Sequence, residues 1–377
     1  MLYYRRLLFL CKRRINYGFK FTCKNRDRSH PPPKKRIAKW DNAKFLLILF
    51  VVMGHFSDSH AKSSEFWFFI QTARLLLTMP AFIFITGLFS KKMMNSETFP
   101  FEKILPFFNL FLVTRIPRYL AVPILGYPLY PLNFFEIRSV DWYCFAVFVF
   151  LTITWLARKI DVKYMLFFSL VLACFIGYDK NIGDYLCLSR IFRFYPFFIA
   201  GFAIPSDKLL KIIERKSVKI ASVLFLAAVI AALNIPSWHK AIPLLSMTVS
   251  YYNEGVARVL APIPPEIWWL VRVAHYALLS AVVFAFFSIV PAQKTFFSTL
   301  GAYTLPVYVL HVPCLFLLAR LNVVKYFIEF FPNYWGVVSI IVPTILTLLL
   351  SSKHLEELLT LVSRPVIHKG AADNRLF

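Results

Sequence analysis

The sequence predicts an all-α protein: a polytopic integral membrane helix bundle of about ten transmembrane helices, multi-pass in the cell membrane, with both termini in the cytoplasm. Three observations carry that expectation. The 377 residues are 59% hydrophobic and only 16% charged, too few charges to coat a water-facing surface, for which roughly 25% is usual. Phe alone occurs 41 times and the mean hydropathy is +0.62, which suits an outer face that meets lipid. Apolar runs of the length needed to cross a hydrocarbon core of about 30 Å recur between charged or Pro-rich breaks.

The first element is a basic segment, residues 1–39, read as a flexible cytoplasmic tail. It holds 13 of the 43 Lys and Arg residues between Arg5 and Lys39, against the single acid Asp27. Its run Pro31-Pro32-Pro33 cannot continue a helix. Membrane lipids of negative charge attract such a tail by about 1 kcal/mol per cation near the surface, so the net charge of +24 calls for no nucleic acid. The stretch RRLLFLCKRR is too short for a secretory signal and no small-residue cleavage pattern follows, so no signal peptide is expected to be removed.

A transmembrane domain over residues 40–352 follows. Its expected spans are 41–59, 66–90, 104–125, 141–158, 164–178, 191–206, 217–235, 267–290, 300–319 and 335–352. With the basic tail inside, alternate loops and a cytoplasmic C-terminal tail, 353–377, bring 29 of the 43 Lys and Arg residues to the cytoplasmic side. The long connection 236–266, with APIPPE near its end, falls outside and is expected to pack over the bundle as a partial lid. Cysteines 11, 23, 144, 174, 187 and 314 form no CxxC pair and have no metal-ligand spacing, so neither a disulfide framework nor a metal site is expected.

Ionisable groups within the spans are the functional candidates, because placing them in hydrocarbon is costly. The opening span, DNAKFLLILFVVMGHF, is the most informative. Eleven residues separate Lys44 from His55, and eleven helical steps return to within about 20° of the starting direction, some 16 Å further along the axis. Lys44 and His55 therefore share a face, with Asp41 close to the same stripe. A cation near the cytoplasmic rim and an imidazole deep in the span suggest the two ends of a substrate channel. Imidazole is the side chain most readily used as a general base at neutral pH. Gly54 leaves the backbone beside His55 open to close approach. A lone membrane histidine is often just a hydrogen-bonding partner between helices, and the aligned Lys44 is what shifts the balance.

Other candidates are weaker. Arg115 and Arg118 flank Pro117 and are placed to snorkel or to face an outer cavity. Asp141 opens the fourth span beside Trp142; it either orients a base, binds a sugar hydroxyl or caps the helix. Arg190 and Arg193 share a helical face, suited to clamp an anion or to balance Asp141. Pro80 is expected to kink the second span. His311, five residues after Pro306, reads as structural, and Arg74, Arg272 and His275 complete the set of intramembrane charges.

The segments DNAKFLLILFVVMGHF, MPAFIFITGLF, DWYCFAVFVF, RFYPFFIAGF and LGAYTLPVYVLH, in this order over ten spans, resemble the acyltransferase 3 membrane proteins, closest to the branch of fucose 4-O-acetylases and related acetyltransferases. The resemblance covers residues 40 to about 352. It implies an O-acetyltransferase moving an acetyl group from acetyl-CoA, a donor substrate rather than a bound cofactor, to a hydroxyl of a cell-surface or lipid-linked polysaccharide sugar. The family pattern of a basic residue, ten others and a histidine is matched by Lys44 and His55, which makes His55 the implied catalytic base. Lys44 stands where Arg is commoner, and Thr78 precedes MP where this branch often has His. Lys44 and Asp41 are then expected at the donor entrance, with Arg115, Arg193 and Asp141 binding CoA phosphate, the acceptor or each other. The alternative is a transporter or flippase for a glycan or anionic substrate, although no internal repeat supports an inverted-repeat transporter. A membrane acyltransferase with a lipid-linked donor is a third reading. The sequence carries no signature of oligomeric state.

Overall fold

Each of the ten expected apolar runs folds as a helix in the computed structural model, which describes residues 36–57, 65–94, 96–124, 133–235, 242–245, 248–330 and 335–364. They are α1 (Ala38–Ser57), α2 (Glu65–Met94), α3 (Phe101–Ile124), α4 (Trp142–Leu156), α5 (Val162–Phe175), α6 (Leu188–Ala203), α8 (Lys216–Leu233), α11 (Trp268–Ile289), α13 (Thr304–Arg320) and α15 (Trp335–Leu350). Between them lie short helices that a hydropathy profile does not mark: α7 (Ser206–Ile213), α9 (Ile242–Leu245), α10 (Glu254–Leu260), α12 (Phe296–Leu300), α14 (Val323–Phe330) and α16 (Lys353–Ser363). Among the described residues the sole β-type pairing is an isolated bridge, Glu136 with Tyr185. The basic segment up to residue 35, the connection 236–241 and the end of the chain from 365 lie outside the described residues.

A helix count is not a span count. By length and composition, Phe68–Met94, Lys216–Leu233 and Pro265–Ile289 are sufficient to cross a membrane. The pair Gly336–Leu350 and Lys353–Ser363, bent by 63°, makes a fourth if it is one span. The others fall short for physical reasons. Helices α4 and α13 are apolar but have 15 and 17 residues. Helix α1 carries Lys39, Asp41 and Lys44 in its first two turns.

The centre of the bundle is α2, which packs on α6, α1, α11 and α4. Its contact with α6 is backbone-close and reciprocal. A Cβ on Gly87 would meet the carbonyl of Phe198, and one on Gly201 would meet the carbonyl of Phe84. Small residues let membrane helices approach in this way. Around this pair the core is aliphatic and aromatic, with Ile48, Val52, Ile83, Phe150, Phe198 and Leu279 buried. Outward, Phe167, Phe168 and Phe175 on α5 and Ile220, Val223 and Leu224 on α8 are exposed, an apolar coat that fits lipid.

The two ends of the bundle differ. At one end, Lys39 donates to Val290 and pairs with Glu214, Asn42 donates to the carbonyls of Pro291 and Gln293, and Lys91 donates to the carbonyl of Ile204. Ala38 and Lys39, the end of the segment read as a tail, thus form the first turn of α1, and Lys39 is buried. Residues 353–363 are likewise not loose chain: α16 packs on α3, where Asn109 Nδ2 donates to the carbonyl of Ser363. The opposite end holds His55, Asp141 and the N-termini of α4, α6 and α11, and carries the site.

Candidate active site

His55 lies in the last turn of α1, half-buried, at the wall of a cavity of about 150 Å³. The cavity is also lined by Arg74, Thr78, Trp142, Arg190 and Tyr308, with Leu245 and Thr248 closing it from the long connection. Each helix places its contribution through ordinary spacing. Arg74 and Thr78 are one turn apart on α2, and the Thr78 hydroxyl donates back to the Arg74 carbonyl. Tyr308 on α13 donates its hydroxyl to the carbonyl of Val140, which pins the start of α4.

Arg74 reaches His55 because residue 54 is glycine. A Cβ at Gly54 would occupy the position of the Arg74 Cδ. The guanidinium Nη1 is 3.3 Å from His55 Nδ1 and Nη2 donates to Gln71 Oε1 at 2.7 Å. A guanidinium has no acceptor, so Nδ1 of His55 is the accepting atom and the ring proton resides on Nε2.

A second imidazole stands behind the first. The rings of His55 and His311 are 5.3 Å apart, centroid to centroid. His311 is fully buried, and its Nδ1 is 2.9 Å from the carbonyls of both Val307 and Tyr308, so Nδ1 carries the proton. That leaves the lone pair on Nε2, a buried atom with no partner among the described residues. His311 thus makes the structural backbone bonds expected of it and also lies beside His55, a proximity that the sequence does not show. Its only signal was position on an apolar helix, which does not reveal a neighbour 256 residues away.

The remaining candidates are distributed elsewhere. Lys44 pairs with Asp41 at 2.8 Å, one turn apart at the other end of α1, and neither lines the His55 cavity. Arg115 and Asp141 form a buried ion pair at 2.7 Å, and Arg115 also donates to the carbonyls of Asn133 and Glu136. Asp141 thus occupies the N-cap position of α4 without capping it through its side chain, since the carboxylate is taken by Arg115. Their neighbours Val140 and Trp142 face the cavity, but the pair itself does not line it. Arg193 is fully buried on α6 and does not line the cavity either, whereas Arg190 does; Arg190 is held by Asp184 and the Ile137 carbonyl. The Arg118 side chain lies outside the described residues. Among the described residues no cluster of three or more His, Cys, Asp or Glu could hold a metal ion.

A helical membrane bundle with a cavity, two neighbouring imidazoles and a guanidinium beside one of them is equipped for proton transfer next to a developing negative charge. A family model described as an acyltransferase domain, that of acyltransferase 3, matches residues 37–352, and the chain belongs to this family of membrane acyltransferases. Comparison with curated proteins and with solved structures gave no match. Family membership does not favour the transporter or flippase reading.

Proposed function

We propose that this protein is a membrane O-acetyltransferase that moves an acetyl group from acetyl-CoA to a hydroxyl of a cell-surface or lipid-linked polysaccharide sugar, in the manner of the fucose 4-O-acetylase branch, with His55 as general base. The observation that carries the reading is that His55 and Arg74 line one cavity, with Arg74 Nη1 3.3 Å from His55 Nδ1 and the His311 ring 5.3 Å from that of His55, centroid to centroid.

In this mechanism the acceptor hydroxyl oxygen attacks the thioester carbonyl carbon as its proton passes to His55 Nδ1. Arg74 turns its N–H groups from Nδ1 to the developing oxyanion. The positive charge arriving on the His55 ring develops beside the His311 imidazole, whose ring lies 5.3 Å away, centroid to centroid. When the tetrahedral adduct collapses, the C–S bond breaks and the CoA thiolate recovers the proton from His55. Direct transfer is preferred over an acetyl-histidine.

The donor reaches the cavity from the cytoplasm along α1, past Asp41 and Lys44, and Lys44 stands about 16 Å from His55 along the axis, comparable to an extended pantetheine arm. The Arg115–Asp141 pair and Arg193 shape the opposite end, where the acceptor enters. Both termini are placed in the cytoplasm and all ten long helices are taken to cross the cell membrane. The collection of Lys39, Lys91 and Lys219 at one end supports this orientation.

His55→Ala tests the proposal. The variant is expected to insert normally and to lose acetyl transfer from labelled acetyl-CoA by about 10²- to 10⁴-fold. Mass spectrometry of the surface polysaccharide should show the loss of one acetyl unit per modified sugar. Full acetylation by the variant would remove His55 from the chemistry.

A further inference from the structure

A second cavity, of about 210 Å³, adjoins the first and is not used by the mechanism above. Leu245 on α9 lines both. The two also lie at one depth. Lys39 on α1 touches Val290 at the end of α11. From that contact His55 is about 24 Å along α1 and Arg272 about 27 Å back along α11.

The walls of this cavity are mostly aliphatic, from Leu244, Val256, Leu260 and Leu278. Into it point two basic side chains one turn apart on α11. Arg272 is 4% exposed and His275 is 8% exposed. Arg272 Nη1 and His275 Nε2 have no hydrogen-bond partner among the described residues. Among the described residues no acidic side chain lines the cavity. Arg272 is held in place by the Tyr251 ring, whose centroid is 5.2 Å from the guanidinium carbon, and Tyr251 is itself fixed by its hydroxyl bond to the Cys174 carbonyl. Burying a cation with an idle donor in a low-dielectric span is costly unless an anion completes it. A structural role would require a carboxylate here, as Arg115 has in Asp141. Aliphatic walls with a guanidinium donor and an imidazole nitrogen side by side fit an anionic head on an apolar chain, and the forked guanidinium suits phosphate.

We propose that Arg272 and His275 bind the phosphate of a lipid-borne acceptor, so that the sugar attached to that phosphate extends past Leu245 to His55. This rests on the acetyltransferase reading for the meaning of the site, though not for its occupancy.

The test is binding to the full chain in phosphatidylcholine nanodiscs, followed by thermal shift and native mass spectrometry. Farnesyl phosphate is expected to bind about tenfold or more tighter than farnesol, as a charge-assisted pair predicts, and Arg272→Gln to abolish the difference. The ligand-free melting temperature of Arg272→Gln should stay level or rise, because an uncompensated buried charge is removed. His275→Gln provides a second variant, expected to weaken farnesyl phosphate without affecting farnesol. Equal binding of farnesyl phosphate and farnesol would overturn the site. So would inorganic phosphate binding as tightly as farnesyl phosphate, which would indicate a free anion, or phosphatidylglycerol doing so, which would indicate an ordinary membrane lipid. Binding as expected in a protein that transfers no acetyl group would sink the acetyltransferase reading and leave the phosphate site standing.

Discussion

Gly54 and Arg74 show how a single missing side chain can set up chemistry. Arg74 lies across the α1 backbone in the space a Cβ would fill and so reaches His55 Nδ1. Gly54→Ala adds a methyl group to a helix that tolerates it, and Arg74 is a flexible side chain with room to swing, so stability should change by less than about 1 kcal/mol. Activity should respond differently. With the guanidinium displaced, kcat is expected to fall by about 10- to 100-fold. Adding Arg74→Gln to Gly54→Ala should then cost little more, because the two changes remove one interaction. Additive losses in kcat would show that Arg74 acts without passing over Gly54. The value of residue 54 was partly legible in the sequence, as an open backbone beside an imidazole. What fills the opening was not, because Arg74 comes from another helix and helix rotation is decided by packing. His311 follows the same rule: the spacing of Lys44 and His55 marks one helix face, whereas a second histidine brought from α13 leaves no local pattern.

Helices α2 and α6 offer the contrasting case, in which glycine serves packing. Cβ atoms at Gly87 and Gly201 would run into backbone carbonyls of the facing helix rather than into a movable side chain. The helices must separate to admit them. Gly87→Ala and Gly201→Ala should each destabilise by about 1–3 kcal/mol despite the better helix propensity of alanine. The double variant should fall short of the sum, since one separation relieves both clashes. A melting temperature unchanged by Gly87→Ala would show that the interface is looser than these contacts require. At this scale the sequence was most readable. All ten apolar runs are helices with ends near the expected positions, because a run of that length has no other way to satisfy its backbone in lipid. The short elements escaped for the opposite reason. Helix α7 alternates Lys with Leu and Ile and buries only Leu209 and Ile213, and α16 buries Leu359 on a mostly polar background, so neither raises local hydropathy. The number of helices that cross is also less legible than their existence, since α1 and α6 carry charges that an average over residues counts against them.

Across the whole molecule, distant parts of the chain are clasped at the lysine-rich end by one carboxylate. Glu214, between α7 and α8, pairs with Lys39 of α1 at 2.7 Å and with Lys219 of α8 at 2.6 Å, while Lys39 also donates to Val290 at the end of α11. Burial pushes the Glu214 carboxyl up, but the hydrogen bonds from Lys219 and Lys39 outweigh it and hold the group below the ordinary carboxylate range. A carboxyl held low in the folded state stabilises it at every pH above its unfolded value. That contribution disappears as pH falls through the lower, folded value. The difference in melting temperature between the native chain and Glu214→Gln should therefore be constant from pH 8 down to about 5 and should close below about 4, on the acid side of a free glutamate at about 4.3. Thermal unfolding of both proteins in detergent across that range gives the measurement. A gap that closes near pH 7 would assign the clasp to an imidazole instead, and a gap that persists unchanged at pH 3 would mean that Glu214 contributes by packing and not by charge.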